Sequence, residues 1–460
     1  MTLEIQYEGV VEFLRDIYYR DLVILMLLAP IGLLFIKLGM TSKKHRIATL
    51  SQNLVLVPIL IISFYLFGWF FYKGFEFGPG ITGGWGESEL ALPWSEFMAP
   101  NLNSNPDSEN LINSFIPWHI FLLFSIIVVS IAAGSWIERI RGSALSILSV
   151  ILGSVFWLIA ASWGWSQSGW LVELTGYHDP FAGGVIHCLV GGFALGVLLP
   201  LGPRLGNQRE IFDARKTIHN PWMLSLGMLM IYAGFLSFYF ASQIPLIKNF
   251  EGGNLILTTN IYGAPTDMNG TIFNYFLSLA GGMMMGFILS KGNLFWILGG
   301  GLAGLVSTSS GNDLYHPLQA FLISVFVAWI VFRSHHWIER RFRIDDVTSV
   351  LAIHGFGGFF GLIISGFILW GYPSSPHEEF ANINPAGQAL GAMLTFWLFG
   401  FLPGYLSSQI LEFFDVLRIS EDLEIGGQDT LSLKKQKEDV AEFTEIEKTV
   451  LKEIIEERNN

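Results

Sequence analysis

Charge is scarce in this chain and cysteine is almost absent. Only 14% of its 460 residues are Asp, Glu, Lys or Arg. An ordinary soluble domain carries about a quarter, so a large water-facing globule is excluded. The single cysteine, Cys188, rules out an intramolecular disulfide and a cysteine-built metal site. No G-x-G-x-x-G opens a helix after a strand-like run, so no dinucleotide-binding fold is expected. The opening MTLEIQYEGVVEFLRDIYYRD has no basic stretch followed by an apolar core and reads as lacking a cleavable signal. The net charge is −12, which disfavours a nucleic-acid partner. Cations are missing in particular places: residues 74–113 and 371–386 contain no Lys or Arg.

Apolar and small residues fill the rest. Hydrophobic residues make up 52%, with 50 glycines and 15 tryptophans. Small residues pack membrane helices and Trp collects at bilayer interfaces. An all-α, multi-pass protein of a cell membrane is expected, because an open backbone cannot stay unpaired in lipid. At about 20 residues per crossing, eleven transmembrane helices are expected: 21–40, 52–72, 114–137, 144–168, 180–202, 221–245, 269–290, 293–311, 316–333, 347–370 and 387–414. Alternate loops hold the cations, among them Lys43, Lys44, Arg139, Arg204, Lys291, Arg340 and Arg341. The positive-inside rule then sets the N-terminus outside and the C-terminus inside. The chain divides into an outer segment 1–20, a membrane domain 21–418 and a cytoplasmic tail 419–460.

Two stretches inside apolar runs resemble each other: VIHCLVGGF at 185–193 and AIHGFGGFF at 352–360. His187 lies on a span running inward and His354 on one running outward. Each is about seven residues into its helix, roughly 10 Å at 1.5 Å per residue. A 5+5 inverted repeat with one added helix would produce this, and such repeats put the functional site near the midplane. A lone intramembrane histidine can be an ordinary hydrogen-bonded core residue. Two at equivalent positions point to a pathway. The remaining histidines fall near loop ends, and SHHWIERR at 334–341 reads as a solvated inner face.

Further motifs, in order and spacing, resemble the ammonium transporter family (Amt/Mep/Rh), nearer its Amt/Mep branch. They are GLLFIKLGMTSKKHRIATLSQN, IERIRGSA, GWLVELTGYHDPFAGGVIH, HNPWMLSLGMLMIYAGFLSFYFAS and RIDDVTSVLAIHGFGG. The resemblance implies a homotrimer with one pore per subunit. It assigns His187 and His354 as twin pore histidines, and Asp179, eight residues before His187, as the recruiting or structural aspartate. Phe124 and Phe238 match the paired gate rings. Trp165, Ser242 and Phe124 match the outer ammonium site. Departures from the family pattern occur at Ile120, where a vestibule aromatic is usual, at Ser349, and in TSSGNDLYHP at 308–317.

The implied chemistry suits these residues. Aromatic faces attract a cation by about 0.5–2 kcal/mol each, and a serine hydroxyl accepts a hydrogen bond that ammonium donates and potassium cannot. A bare cation is very costly in an apolar pore, so ammonia and its proton must separate. Two neutral imidazoles sharing one N–H···N bond offer a relay. No cofactor and no enzymatic activity are expected. An ammonium sensor on the same fold is an alternative, favoured by the departures and opposed by retention of both histidines. A membrane oxidoreductase with histidine-ligated haem is another. In the tail, Val440, Phe443, Ile446, Val450, Ile454 and Ile455 recur at helical spacing, which suggests an amphipathic helix. The family's inner face can also meet a PII-type regulatory protein.

Overall fold

The structure is a computed structural model. It describes residues 17–430 except 19, 76, 80–108, 167–168, 206–216, 242–245, 251–252, 258, 262–263, 267 and 375–379, and for 109–117 and 246–268 the backbone path only. Ser242 and the proposed tail helix within 438–460 lie outside the described residues.

Among the described residues the apolar helices are α1 Arg20–Met40, α2 Lys43–Gly74, α3 Glu109–Ala133, α4 Gly142–Trp165, α5 Gly183–Leu201, α6 Pro221–Ala241, α7 Met268–Ser290, α8 Leu294–Thr308, α9 Pro317–Phe342, α10 Leu351–Ile368 and α11 Pro385–Phe413. They fall where the eleven apolar runs lie. Among the described residues, nine helices are long and apolar enough to cross a membrane, and the well-described parts of α3 and α8 are shorter. The protein is therefore a multi-pass membrane protein with a helical body. Between α6 and α7 the chain forms two short antiparallel hairpins, Leu246–Phe250 with Gly253–Leu257 and Thr259–Ile261 with Ala264–Thr266.

Local sequence explains several helix starts. Asn384 precedes Pro385, and its side chain accepts from Gly387 N at 2.9 Å. Proline at the first helical position costs no hydrogen bond there. His316 and Gln319 form a reciprocal cap around Pro317 at the start of α9, the arrangement that satisfies two orphan donors at once.

Two boundaries differ from expectation for one reason. Helix α2 starts at Lys43 rather than 52, and α9 ends at Phe342 rather than 333. Hydropathy drops at the first charges, but the helical pattern of buried residues continues. In α9, His335, Ile338 and Glu339 are buried, on one face by their spacing. SHHWIERR is thus not a fully solvated face: His335 Nε2 lies 3.1 Å from Glu339 Oε2 and its ring is 4.8 Å from that of Trp296.

Helix α1 packs along α6, α7 lies against α8 and α9, and α5 is enclosed by α10 and α11. Helix α5 is the most buried of the candidate spans at 83%. Large apolar side chains such as Leu54, Phe276, Phe326 and Leu406 face outward, as a lipid-facing surface requires.

Candidate functional site

The two histidine helices start in the same way. Asp179 stands eight residues before His187 and Asp346 eight before His354. Asp179 Oδ2 accepts from Gly184 N at 2.8 Å, Val185 N at 3.0 Å and the Tyr177 hydroxyl at 3.0 Å. Asp346 Oδ2 accepts from Leu351 N at 2.7 Å. Each carboxylate thus satisfies orphan amides of the first turn. Burial pushes the Asp179 carboxyl above its ordinary range, against the lowering effect of these donors. Five residues before each histidine, a non-glycine residue takes the left-handed conformation: Ala182 (φ 68°) and Ser349 (φ 58°). Both histidines then sit in π-helical turns, Gly183–Cys188 and Leu351–Phe356. Such turns widen the helix and re-aim side chains, often at functional sites.

Four residues after each histidine comes a glycine where the helices meet. A Cβ on Gly191 would run into the backbone of Gly355, and one on Gly358 into the carbonyl of Gly183. This close approach brings the rings together. His354 Nδ1 and His187 Nδ1 are 2.9 Å apart, and the ring centroids 4.9 Å. Both residues are buried. One Nδ1 donates and the other accepts. One ring then keeps an Nε2–H donor and the other a bare Nε2 acceptor.

An aromatic column leads to this pair. Phe124 and Phe238 meet edge to face with centroids 4.7 Å apart. Trp165 lies 5.6 Å from Phe124 and 6.5 Å from Phe238. Phe235 continues the line, 6.3 Å from Phe238 and 5.5 Å from His187. Trp165 Nε1 donates to the Asp179 carbonyl at 2.7 Å, so the aspartate segment also orients the tryptophan. Six of the seven candidate residues therefore gather along one line or brace it; Ser242 is the one outside the described residues.

Sequence reasoning missed several neighbours. Phe121 sits 6.0 Å from Trp165, 6.0 Å from Phe124 and 5.7 Å from Trp69, so an aromatic face stands one residue past Ile120. Lys37 lies buried within apolar α1, bonded to Asn53 Oδ1 and, at 3.1 Å, to the Ser130 carbonyl. A charged residue inside an apolar run was the available signal. His178 joins Asp313 at 3.1 Å and the Ser374 carbonyl at 2.8 Å. Burial lowers its pKa, but Asp313 outweighs this and holds it above the ordinary value.

The face carrying the basic loops holds another polar cluster. Arg204 makes a two-pronged contact with Asp345 at 2.8 and 3.1 Å and reaches Glu138 at 2.8 Å. Arg139 Nη2 donates to the Asp345 carbonyl at 2.6 Å. Residues 415–430 join this cluster. Arg418 pairs with Glu424 at 3.0 Å, Leu205 N donates to Glu424 at 2.6 Å, and Asp429 accepts from Ile47 N and Ala48 N at 2.7 and 2.8 Å.

Residues 21–438 match the model of the Ammonium Transporter Family. The chain belongs to this family. Ammonium transporter Amt1 of Methanocaldococcus jannaschii is 25% identical over 319 residues, 69% of this chain and 75% of that protein. Ammonium transporter 3 of Dictyostelium discoideum is 26% identical over 445 residues, 91% of this chain and 93% of that one. Among solved structures, one titled Sensor Amt Protein superposes with a TM-score of 0.73 at 20% identity, covering 92% of this chain and 99% of that chain. Mep2 of Candida albicans gives 0.68 at 18% identity, covering 88% and 86%. The fold is thus the one these proteins share, and the family is one of transporters, not enzymes.

Proposed function

We propose that the protein moves ammonium nitrogen across a cell membrane along the line from Trp165 to His354. The observation carrying this reading is the buried His187–His354 pair at 2.9 Å, met end-on by an aromatic column. Ammonium is held at the outer end by the faces of Trp165, Phe124 and Phe121, with Ser242 accepting a hydrogen bond. The edge-to-face contact of Phe124 and Phe238 closes the path to water. Beyond it a cation has no partners, so the proton is left behind and ammonia proceeds. The histidine pair offers ammonia one donor and one acceptor. A proton taken up at the bare Nε2 of one ring, passage of the shared proton to the other Nδ1 and release of that ring's Nε2–H proton relay one charge through the pair, giving net proton transfer while the nitrogen moves as neutral ammonia. Asp179 acts as a positioning residue that holds the helix start and Trp165.

The same reading takes eleven crossings, an outside N-terminus and an inside C-terminus, with the basic cluster at the cytoplasmic face. The mirrored Asp, histidine and glycine spacings support a 5+5 inverted repeat. The reading also includes a homotrimer in the plasma or inner membrane. A PII-type protein would meet the face that holds Arg204 and Glu424. The two Nδ1 atoms, 2.9 Å apart, are too close for one iron to bond both from opposite sides at about 2 Å per bond.

A sensor is the alternative reading. It is favoured by Ile120 in the vestibule and by the firm docking of residues 415–430, which gives the pore body a mechanical link to the tail. Current on a solid-supported membrane tests both. Sustained charge movement after an ammonium pulse, absent with potassium and lost or altered in His187→Ala, supports transport. A brief binding transient alone supports sensing.

A further inference from the structure

Lys37 is buried at 2% exposure three residues from the end of α1. Its Nζ touches only acceptor atoms in the contacts made by its side chain, the Asn53 amide oxygen and the Ser130 carbonyl. Its N–H groups donate to both, and neither partner carries a charge that would offset one on the lysine. Lys37 also lines a cavity of about 20 Å³ whose wall includes His354, Ser130, Thr348 and Ile353. That is room for one water or one ammonia. No carboxylate lines this cavity among the described residues, so the lysine's field falls on whatever occupies it. The cavity lies on the basic-loop side of the histidine pair, since Lys37, Ser130 and Thr348 all come from that end of their segments.

We propose that Lys37 determines how much charge accompanies each ammonia: standing as a fixed cation beside the His354-lined cavity, it lets the neutral molecule leave and slows the proton. This rests on the reading of His187 and His354 as the conduction site. A fixed charge in a low-dielectric wall repels a like charge far more than in water and leaves ammonia nearly untouched. Intramembrane lysines are costly and mark pathways, and no carboxylate among the described residues bonds this one.

The experiment uses full-length protein in liposomes, with Lys37→Met, Lys37→Gln and Lys37→Arg beside the unaltered chain. Two signals are read after an ammonium pulse: charge moved on a solid-supported membrane, and ammonia entry by an internal pH dye. Lys37→Gln keeps hydrogen-bonding capacity and guards against a folding defect in Lys37→Met; each variant is used only if it elutes and melts as the unaltered protein does. The expected result is a tenfold or greater rise in charge per ammonia in Lys37→Met and Lys37→Gln, with Lys37→Arg unchanged. Ammonia entry with an unaltered charge ratio in the neutral variants overturns the role of Lys37 alone. No ammonia entry through any of the proteins overturns the conduction site and this proposal with it. A charge rise equally present in Lys37→Arg also overturns it, because the charge would not be the cause.

Discussion

The histidine axis and the basic face handle buried polar groups in opposite ways. On the axis, His187 and His354 are partnered by each other and surrounded by rings and glycines. At the basic face, Asp345 takes two arginines and Glu138 shares one of them. Neutral groups need one partner each. Charges out of water need several, because the desolvation cost is otherwise uncompensated. The axis can therefore change its protonation without dismantling the fold, whereas the basic face cannot. On the proposed reading one region serves conduction, and the other holds loops and tail together.

The sharpest way to separate the regions is to remove a charge from the basic face. Asp345→Ala leaves Arg139 and Arg204 without their shared carboxylate. Breaking a buried pair typically costs about 3–5 kcal/mol, so thermal melting in detergent should fall by several degrees while transport per folded molecule is retained. A comparable loss of transport at unchanged stability would show that the regions are not distinct. Overfilling the helix contact comes next. Gly191→Val drives a side chain into the Gly355 backbone, at about 1–3 kcal/mol for overpacking. Here stability and transport should fall together, because the same contact sets the histidine spacing. Removing the cap by Asp179→Ala should cost about 1–2 kcal/mol and weaken the Trp165 site, read as a loss of apparent ammonium affinity in the current assay.

The smallest effect is the dependence on pH. Burial pushes Asp345 and Glu138 up, but Arg204, together with Arg139 for Asp345, outweighs it and holds both carboxyls below their ordinary range. A depressed folded pKa gives stability that is complete above the unfolded value, near 4, and is lost as pH falls through the folded values. The melting temperature should therefore stay flat from about pH 7 to 5 as far as these groups go and drop below about 4. Asp345→Asn should start lower and show a shallower acid slope. An unchanged slope would mean these carboxylates are not the ones titrating.

The axis was more legible in the sequence than the face. His187 and His354 announce themselves because an ionisable residue in an apolar run has few bland explanations, and their neighbours repeat. Phe124, Phe238 and Trp165 could be placed only through family resemblance, since one Phe among 39 carries no signal by itself. Each described apolar helix falls on an apolar run, but hydropathy cut short the start of α2 and the end of α9, where charged residues continue a helix with a buried side. The π-turns at 183–188 and 351–356 left no pattern to read. The pairs His178–Asp313 and His335–Glu339 needed the fold. His178 and Asp313 come from segments 135 residues apart, while His335 and Glu339 have the sequence pattern of a charged surface. Lys37 was legible in principle, as the charge inside the first apolar run.

The most direct test of the account is the ammonium-induced current from purified protein in liposomes on a solid-supported membrane, with His187→Ala and a potassium pulse beside it. A sustained current with ammonium, none with potassium, and loss or altered selectivity in the variant are expected. A brief transient that is the same in well-folded wild type and His187→Ala would contradict conduction through the histidine pair.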